Sequence, residues 1–442
     1  MKIRIAFLAP EQQSGIGGGD RKYDLYYNNL QDEYFWAVYL CVTHTLAHED
    51  LEAERPVVFH DHVLGYLQQH QIEYVYLAWA KISPEMEKSI TDYCPMLINV
   101  NFTPCYRPTG NYLNLVISKT DYVKLQLMHW ILHNAWVVYN PINVSNWLRL
   151  AQTAVATHRS NTAFTQKEFI VGRIARAEPS KWHFLMLSSL RLLDHKNDYR
   201  YGFLFAGCPV LYRKAMKVLL SKKMYNSIVF IPELRRLEDI AEFYASIDLF
   251  WQTSWIGESF GNVIAEANCF WVPVMTDYKA FFRNGKVNPV IYDAQIELVD
   301  HQITWAYCAR PDAVVTFLQA QTKETLQLLG KAGREKTIRE YNVVDTAATL
   351  AKVLYAYGKE NGVYNEDQLF EGIVQKPTPQ EVVDYMAEYH RRLEICKHTS
   401  KLSFWGYNMY KLLNNIWRWL EWWYLLYRKM SKKYLHRDIE KF

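Results

Sequence analysis

The sequence has no run of 18 or more uncharged apolar residues, so no membrane-spanning helix is expected. It has no C-x-x-C pair and no Cys/His cluster at zinc spacing. The cysteines Cys41, Cys94, Cys105, Cys208, Cys269, Cys308 and Cys396 are scattered and odd in number. That usage argues against a disulfide scaffold or a zinc site and fits a reduced, intracellular protein. The opening MKIRIAFLAP breaks at Pro10 without a cleavage site, so no secretory leader is expected. Gly and Pro are not in excess, and nothing reads as a long disordered segment. A basic body is also missing. From Lys397 to Arg437 nine Lys/Arg face one acid, Glu421, whereas the whole chain carries only +4, which leaves the rest mildly acidic. A nucleic-acid binder with a basic body is not indicated.

What is present is length and apolar content. A chain of 442 residues that is 50% hydrophobic exceeds one ordinary core, and two domains are the natural expectation. In the first 150 residues, the runs Ile3–Leu8, Pro56–His60, Tyr74–Ala78, Leu97–Phe102, Leu113–Ile117 and Ala135–Tyr139 read as buried strands. Helices fit between them, for example over Tyr23–Cys41 and Pro84–Tyr93. This alternation predicts a doubly wound, mostly parallel sheet. Asn146–Phe164 is polar, lacks a strong period and reads as a linker. A second series follows: Glu168–Ile174, Phe203–Ala206, Ser227–Ile231, Asp248–Gln252, Val272–Thr276 and Val290–Tyr292 as strands. Lys181–Leu192, Val210–Leu220, Glu238–Ser246 and Asn262–Asn268 are the helices between them. The expected organisation is an α/β protein with domains at 1–160 and 165–342 facing a cleft, and C-terminal helices over 343–442.

The most informative stretch is GESFGNVIAEA, Gly257–Ala267, between a strand and a helix. Ser259, Gly261 and Asn262 suit a turn and helix cap there, and free backbone N–H groups can receive an anion such as a diphosphate. Glu258 lies before the helix and Glu266 on its second turn, so the two carboxylates can hold different hydroxyls of one extended ligand. The plain alternative is an ordinary capped helix with two solvated acids.

Glu258 and Glu266 around GESFG resemble the Glu-x7-Glu motif of the family-4 retaining glycosyltransferases, which have the two-domain GT-B fold. The preceding LEDIAEFYASIDLFWQTSW is similar to that family's approach to the motif. The resemblance implies that Glu258 holds sugar hydroxyls of a nucleotide diphosphate-sugar, Glu266 holds the ribose, and the N–H groups of Phe260 and Gly261 face phosphate or sugar. In VGRIARAEPSK, Arg173 and Lys181 resemble the cations that neutralise the family's donor diphosphate, with Arg176 as the alternative to Lys181 at a longer than usual spacing. Fixed cations there would stabilise the charge of a departing nucleoside diphosphate. Pro232 and Glu233 resemble the loop that cradles the base. SGIGGGD, Ser14–Asp20, resembles the glycine-rich loop near diphosphate and acceptor and makes Gly17 and Gly18 candidates. VISKTDYVK and VVYNPINV resemble the segments leading into the second domain, with Asn143 where Asp is common. Together these matches cover roughly residues 1–350. One departure is Asn101, at the position where many family members carry a His near the reacting carbon. His60, Asp61 and His62 lie on a different strand end.

Leu402, Trp405, Met409, Leu412, Ile416, Trp419, Trp423, Leu426 and Met430 recur at alternating spacings of three and four, a sustained helical stripe. Added Trp and Tyr and a basic C-terminal end suit a membrane interface through residues 402–437. A helix packed on the body or in a coiled coil is the alternative. The expected activity is therefore transfer of a hexose from a nucleotide-sugar to a glycan, lipid or protein acceptor, with retention. No metal or cofactor is expected, and the location is cytoplasmic and peripheral at the inner face of a membrane. A phosphorylase or epimerase on this fold, or a non-catalytic membrane-attached scaffold, is the alternative.

Overall fold

The computed structural model describes residues 2–11, 18–30, 35–78, 80–100, 107, 109–128, 134–178, 181–254, 257–276, 282–283, 286–287, 294–299, 311–360, 378–384, 386–387 and 419. The expected strand Val290–Tyr292, Gly17, Asn101 and all of the aromatic stripe except Trp419, which is exposed, lie outside them.

The first sheet contains β1 (Ile3–Pro10), β2 (Phe35–Thr43), β3 (Val57–Phe59), β4 (Tyr74–Leu77), β5 (Met96–Val100), β6 (Tyr112–Val116) and β7 (Ala135–Val137). All pairings are parallel, in the order β3-β2-β1-β4-β5-β6-β7. Near-continuous apolar runs such as IRIAFLAP are what a parallel sheet covered on both faces requires. Its helices are α1 (Gly18–Asn29), α2 (Val63–Gln69), α3 (Pro84–Tyr93) and α4 (Lys119–Leu127). The helix expected over Tyr23–Cys41 is corrected. The chain leaves α1 at Asn29, and FWAVYLCVT runs beside β1 with Ile3 opposite Phe35 and Pro10 opposite Val42. Periodicity alone does not separate a buried strand from a buried helix, and here pairing with β1 decides.

The second domain begins earlier than its sheet. α5 (Val144–Thr153) occupies much of the expected linker, capped by Asn143, whose side chain accepts the Asn146 N–H. Its buried Val144, Trp147 and Leu150 join the second core, so a mostly polar segment is anchored by three side chains on one face. The sheet holds β8 (Phe169–Ile174), β9 (Tyr201–Ala206), β10 (Ile228–Ile231), β11 (Leu249–Gln252) and β12 (Val274–Thr276), all parallel, in the order β10-β9-β8-β11-β12. Around it lie α6 (Phe184–His195), α7 (Val210–Leu219), α8 (Lys222–Tyr225), α9 (Leu237–Ala245), α10 (Asn262–Cys269), α11 (Gln295–Leu298), α12 (Pro311–Gln319) and α13 (Lys323–Glu340). α14 (Val343–Glu360) then returns to the first sheet. Leu350, Leu354 and Tyr357 are buried in that core, and the Tyr74 hydroxyl donates to the Leu354 carbonyl. The two crossings between domains touch: Ile142 N–H donates to Tyr341 O at 2.9 Å, and Val343 N–H donates to Ile142 O at 2.9 Å.

α1 carries a buried cation. Lys22 is 4% exposed, and its Nζ lies 2.6 Å from Asn99 Oδ1, which also accepts the Tyr76 hydroxyl. Burial pushes its ammonium down to about 7. Between that value and the ordinary lysine range the unfolded chain holds a proton that the folded chain does not, so stability rises with pH across that window. Lys22→Met should raise the melting temperature at pH 7. The gain should shrink between pH 7 and 9 by the equivalent of about 1–3 kcal/mol. Thermal unfolding of both proteins across that range checks it, since Asn99 Oδ1 keeps Tyr76 in the variant.

Candidate functional site

Each sheet reverses its strand order once, between β1 and β4 and between β8 and β11. In open α/β sheets the crevice at such a point, beyond the carboxyl ends of the strands, is where ligands bind. In the second sheet this edge holds Arg173 near the end of β8 and Gln252 at the end of β11.

Arg173 is 1% exposed. Its Nη2 donates to the carbonyls of Lys181 at 2.6 Å and Thr253 at 2.8 Å, and its Nη1 donates to Gln252 Oε1. The guanidinium thus ties β8 to β11 and fixes the main chain at Lys181. Lys181 in turn donates from Nζ to both carboxylate oxygens of Glu258, at 3.0 and 2.8 Å, and Gln252 Nε2 donates to Glu258 Oε1 at 3.0 Å. The Lys181–Glu258 pair is partly open, with side chains 24% and 15% exposed. Below it, the Ser254 hydroxyl donates to Gly257 O, and the Glu258 N–H donates to Gln295 Oε1 at 2.9 Å. Arg173, Lys181 and Glu258 are therefore brought into one connected polar group. Arg176, the alternative cation, is exposed and paired with Glu178. Lys181 does not open the expected helix: α6 starts at Phe184, where His183 Nδ1 accepts the Leu185 N–H.

Gly261 caps α10 with φ 94°, in the left-handed region that favours glycine, so the turn from Glu258 into the helix depends on it. Ser259 and Asn262 flank it and are partly exposed, and Asn262 opens the helix. The Ile264 N–H donates to Gly261 O at 2.8 Å, and the helix N-terminus presents a partial positive charge at this edge. Phe260 is buried against Tyr139 and Tyr341, with ring centroids 6.2 and 5.4 Å apart. Glu266 is half-buried on α10 and accepts a long bond from the Tyr244 hydroxyl at 3.4 Å, which also reaches Val263 O at 3.0 Å. The two carboxylates therefore have different neighbours: Glu258 has the Lys181 ammonium and the Gln252 amide, and Glu266 has the Tyr244 phenol.

Glu233 follows β10 and accepts the Ala177 N–H at 3.1 Å, while Pro232 beside it is exposed. Between these loops lies Gly207, at φ 75°, where a Cβ would come 2.0 Å from Ala175 O. In the first domain Gly18 opens α1. His60 pairs with Asp61 at 3.0 Å and His62 with Glu49 at 3.1 Å, at the end of the edge strand β3, two strands away from β1. Among the described residues no group of His, Cys, Asp and Glu could hold a metal ion, and no helix is long and apolar enough to cross a membrane. Gln252, Gln295 and Glu297 were not singled out from the sequence. Gln252 ends a strand that was, and the other two have no local motif.

Residues 155–282 match the family model described as Glycosyl transferases group 1. The chain is similar over this stretch to a glycosyl transferases group 1 domain. Its fold is GT-B, shared with several solved structures at low identity. A structure of HepE from Anabaena in complex with UDP and glucose is similar at 16% identity, covering 80% of this chain and 100% of that one, with TM-score 0.56. A glycosyltransferase from Rickettsia africae is similar at 14% identity, with 81% and 98% covered and TM-score 0.60. Sucrose-phosphate synthase from Thermosynechococcus elongatus is similar at 13%, with 81% and 100% covered and TM-score 0.58. No curated protein matches the chain by sequence.

The geometry separates two cations that the sequence treats alike. Arg173→Ala should destabilise the protein by about 3 kcal/mol or more, because the Thr253 carbonyl and the Gln252 side-chain oxygen, both buried, and the part-buried Lys181 carbonyl lose a charged donor. Lys181→Ala should cost less than about 1 kcal/mol, since its ion pair is partly solvated. Urea unfolding of both variants checks the contrast.

Proposed function

We propose that this chain is a retaining hexosyltransferase that moves a sugar from a nucleoside diphosphate-sugar to a hydroxyl of a glycan, lipid or protein acceptor. The observation that carries this reading is Glu258. It is held by Lys181, Gln252 and Gln295 at the strand-order reversal of the second sheet, beside the N-terminus of α10. In this reading the Lys181–Glu258 pair stands in for the donor. When the nucleotide-sugar enters, Lys181 turns to the diphosphate and Glu258 is released to accept from sugar hydroxyls. Glu266 accepts from the ribose, the N–H groups of Phe260 and Gly261 face phosphate or sugar, and Pro232 and Glu233 lie by the base. The bond from the anomeric carbon to the diphosphate oxygen breaks, the acceptor oxygen bonds to that carbon on the same face, and the acceptor proton leaves with the departing diphosphate. Negative charge grows on the leaving group, and Lys181, Arg173 and the helix terminus stabilise it more in the transition state than in the ground state. No cofactor enters this scheme.

UDP-sugars are the first donors to test, since HepE is described with UDP and glucose. Titration calorimetry with UDP, GDP and ADP should show binding of one of them. Glu266→Ala should weaken it by roughly 1.5–3 kcal/mol, the worth of a charge-assisted hydrogen bond. Unchanged affinity in the folded variant removes Glu266 from the site. Formation of sugar 1-phosphate from added inorganic phosphate would instead mark a phosphorylase.

The basic, aromatic segment 402–437 supports attachment to the inner face of a membrane. Vesicles containing anionic lipid should co-sediment the full chain. Replacing Arg428, Lys429, Lys432 and Lys433 together by Gln should release most of it, as should salt, because exposed charges are screened over about 10 Å at 0.1 M. A chain that stays in the supernatant at low salt makes the stripe a packing helix.

A further inference from the structure

The short helix α11 touches both domains. The Glu297 side chain is 6% exposed, although it is an acid. Its Oε1 accepts the Thr120 N–H at 2.5 Å, and its Oε2 accepts the Lys119 N–H at 3.2 Å and the Tyr139 hydroxyl at 3.0 Å. All three donors belong to the first-domain side. Lys119 and Thr120 form the first turn of α4, which Ser118 caps, and Tyr139 follows β7. A carboxylate at a helix N-terminus receives two orphan amides and the favourable end of the helix dipole. The Glu297 carbonyl accepts the Tyr341 hydroxyl at 2.8 Å. Two residues earlier, Gln295 accepts the Glu258 N–H. Tyr139 closes the circuit, since its ring meets Phe260 and its carbonyl accepts the Tyr26 hydroxyl from α1.

We infer that Glu297 is a positioning residue for the donor site: it fastens α11 to the first domain and, through Gln295, sets the main chain of Glu258. This rests on the function proposed above. In that reading the nucleotide is held mainly by second-domain groups, but turnover also needs Glu258 seated against an acceptor held by the first domain. Glutamine is not an innocent replacement, because its amide donor would face amide and hydroxyl donors. A misplacement on the order of 1 Å is enough to lower turnover about 100-fold.

The test uses the full chain and four variants, Glu297→Gln, Gln295→Ala, their combination and Glu381→Ala. The last removes the Lys119 Nζ–Glu381 pair at 3.2 Å, at the same end of α4, without touching Glu297. Glu297→Gln should lower kcat about 10–100-fold. Calorimetric affinity for the nucleoside diphosphate should change less than about threefold, under 1 kcal/mol. The double variant should lose no more than the worse single one, because both act on the same seat, and Glu381→Ala should keep wild-type kcat. Wild-type kcat in Glu297→Gln overturns the inference, as does a loss of nucleotide affinity parallel to the loss of turnover, or additive losses in the double variant. A wild-type chain that turns over no nucleotide-sugar overturns the function reading and this inference with it.

Discussion

Parallel pairing is the constraint from which the architecture follows. A strand that pairs parallel with its predecessor must be reached by a crossover, and a sheet wound first one way and then the other leaves a crevice where the direction changes. Both sheets do this at their first strand, beside β1 and β8. The loops leaving β8 and β11 are thereby set side by side, and residues 173, 181, 252 and 258 meet although a span of 85 positions separates the outermost. Burial on both faces of β8 makes an arginine there costly unless its donors are filled. Two carbonyls and a glutamine oxygen accept from its Nη1 and Nη2.

The ion pair at the mouth of the crevice has a different energetic character. Lys181 and Glu258 are neither fully buried nor freely solvated. A pair in such a place is worth little as stabilisation but keeps both side chains in defined rotamers. Such a pair is free to exchange partners, which is what the donor site proposed above asks of it. Arg173 is locked by main-chain carbonyls and has no such freedom. Similar charge with different anchoring thus separates a fixed cation from a movable one.

Much of this was legible in the chain because it is local. A buried parallel strand writes itself as an apolar run, and GESFGNVIAEA announces a strand-to-helix turn by Gly261, which caps α10 without a side-chain bond from its neighbours. β2 was missed because FWAVYLCVT adjoins a helical segment and its partner, β1, lies 32 positions earlier. α5 was missed because one Trp, one Val and one Leu anchor an otherwise solvated helix. Gln295 and Glu297 were illegible for a deeper reason. They accept from backbone N–H groups 37 and 177 positions away, and a backbone amide leaves no mark in a sequence.

The return of α14 to the first sheet has a consequence for how the molecule is made. The first domain is a discontinuous body: its strands come from the start of the chain, and one of its core helices comes after the whole of the second domain. The second domain is in effect an insertion between residues 142 and 343, joined at both ends where Ile142 pairs with Asn342. During synthesis from the N-terminus the inserted body can close on itself first. The earlier-made sheet must wait, with Tyr74 lacking its α14 partners Leu354 and Tyr357, until residues 343–360 have left the ribosome. The domain begun first is the one completed last.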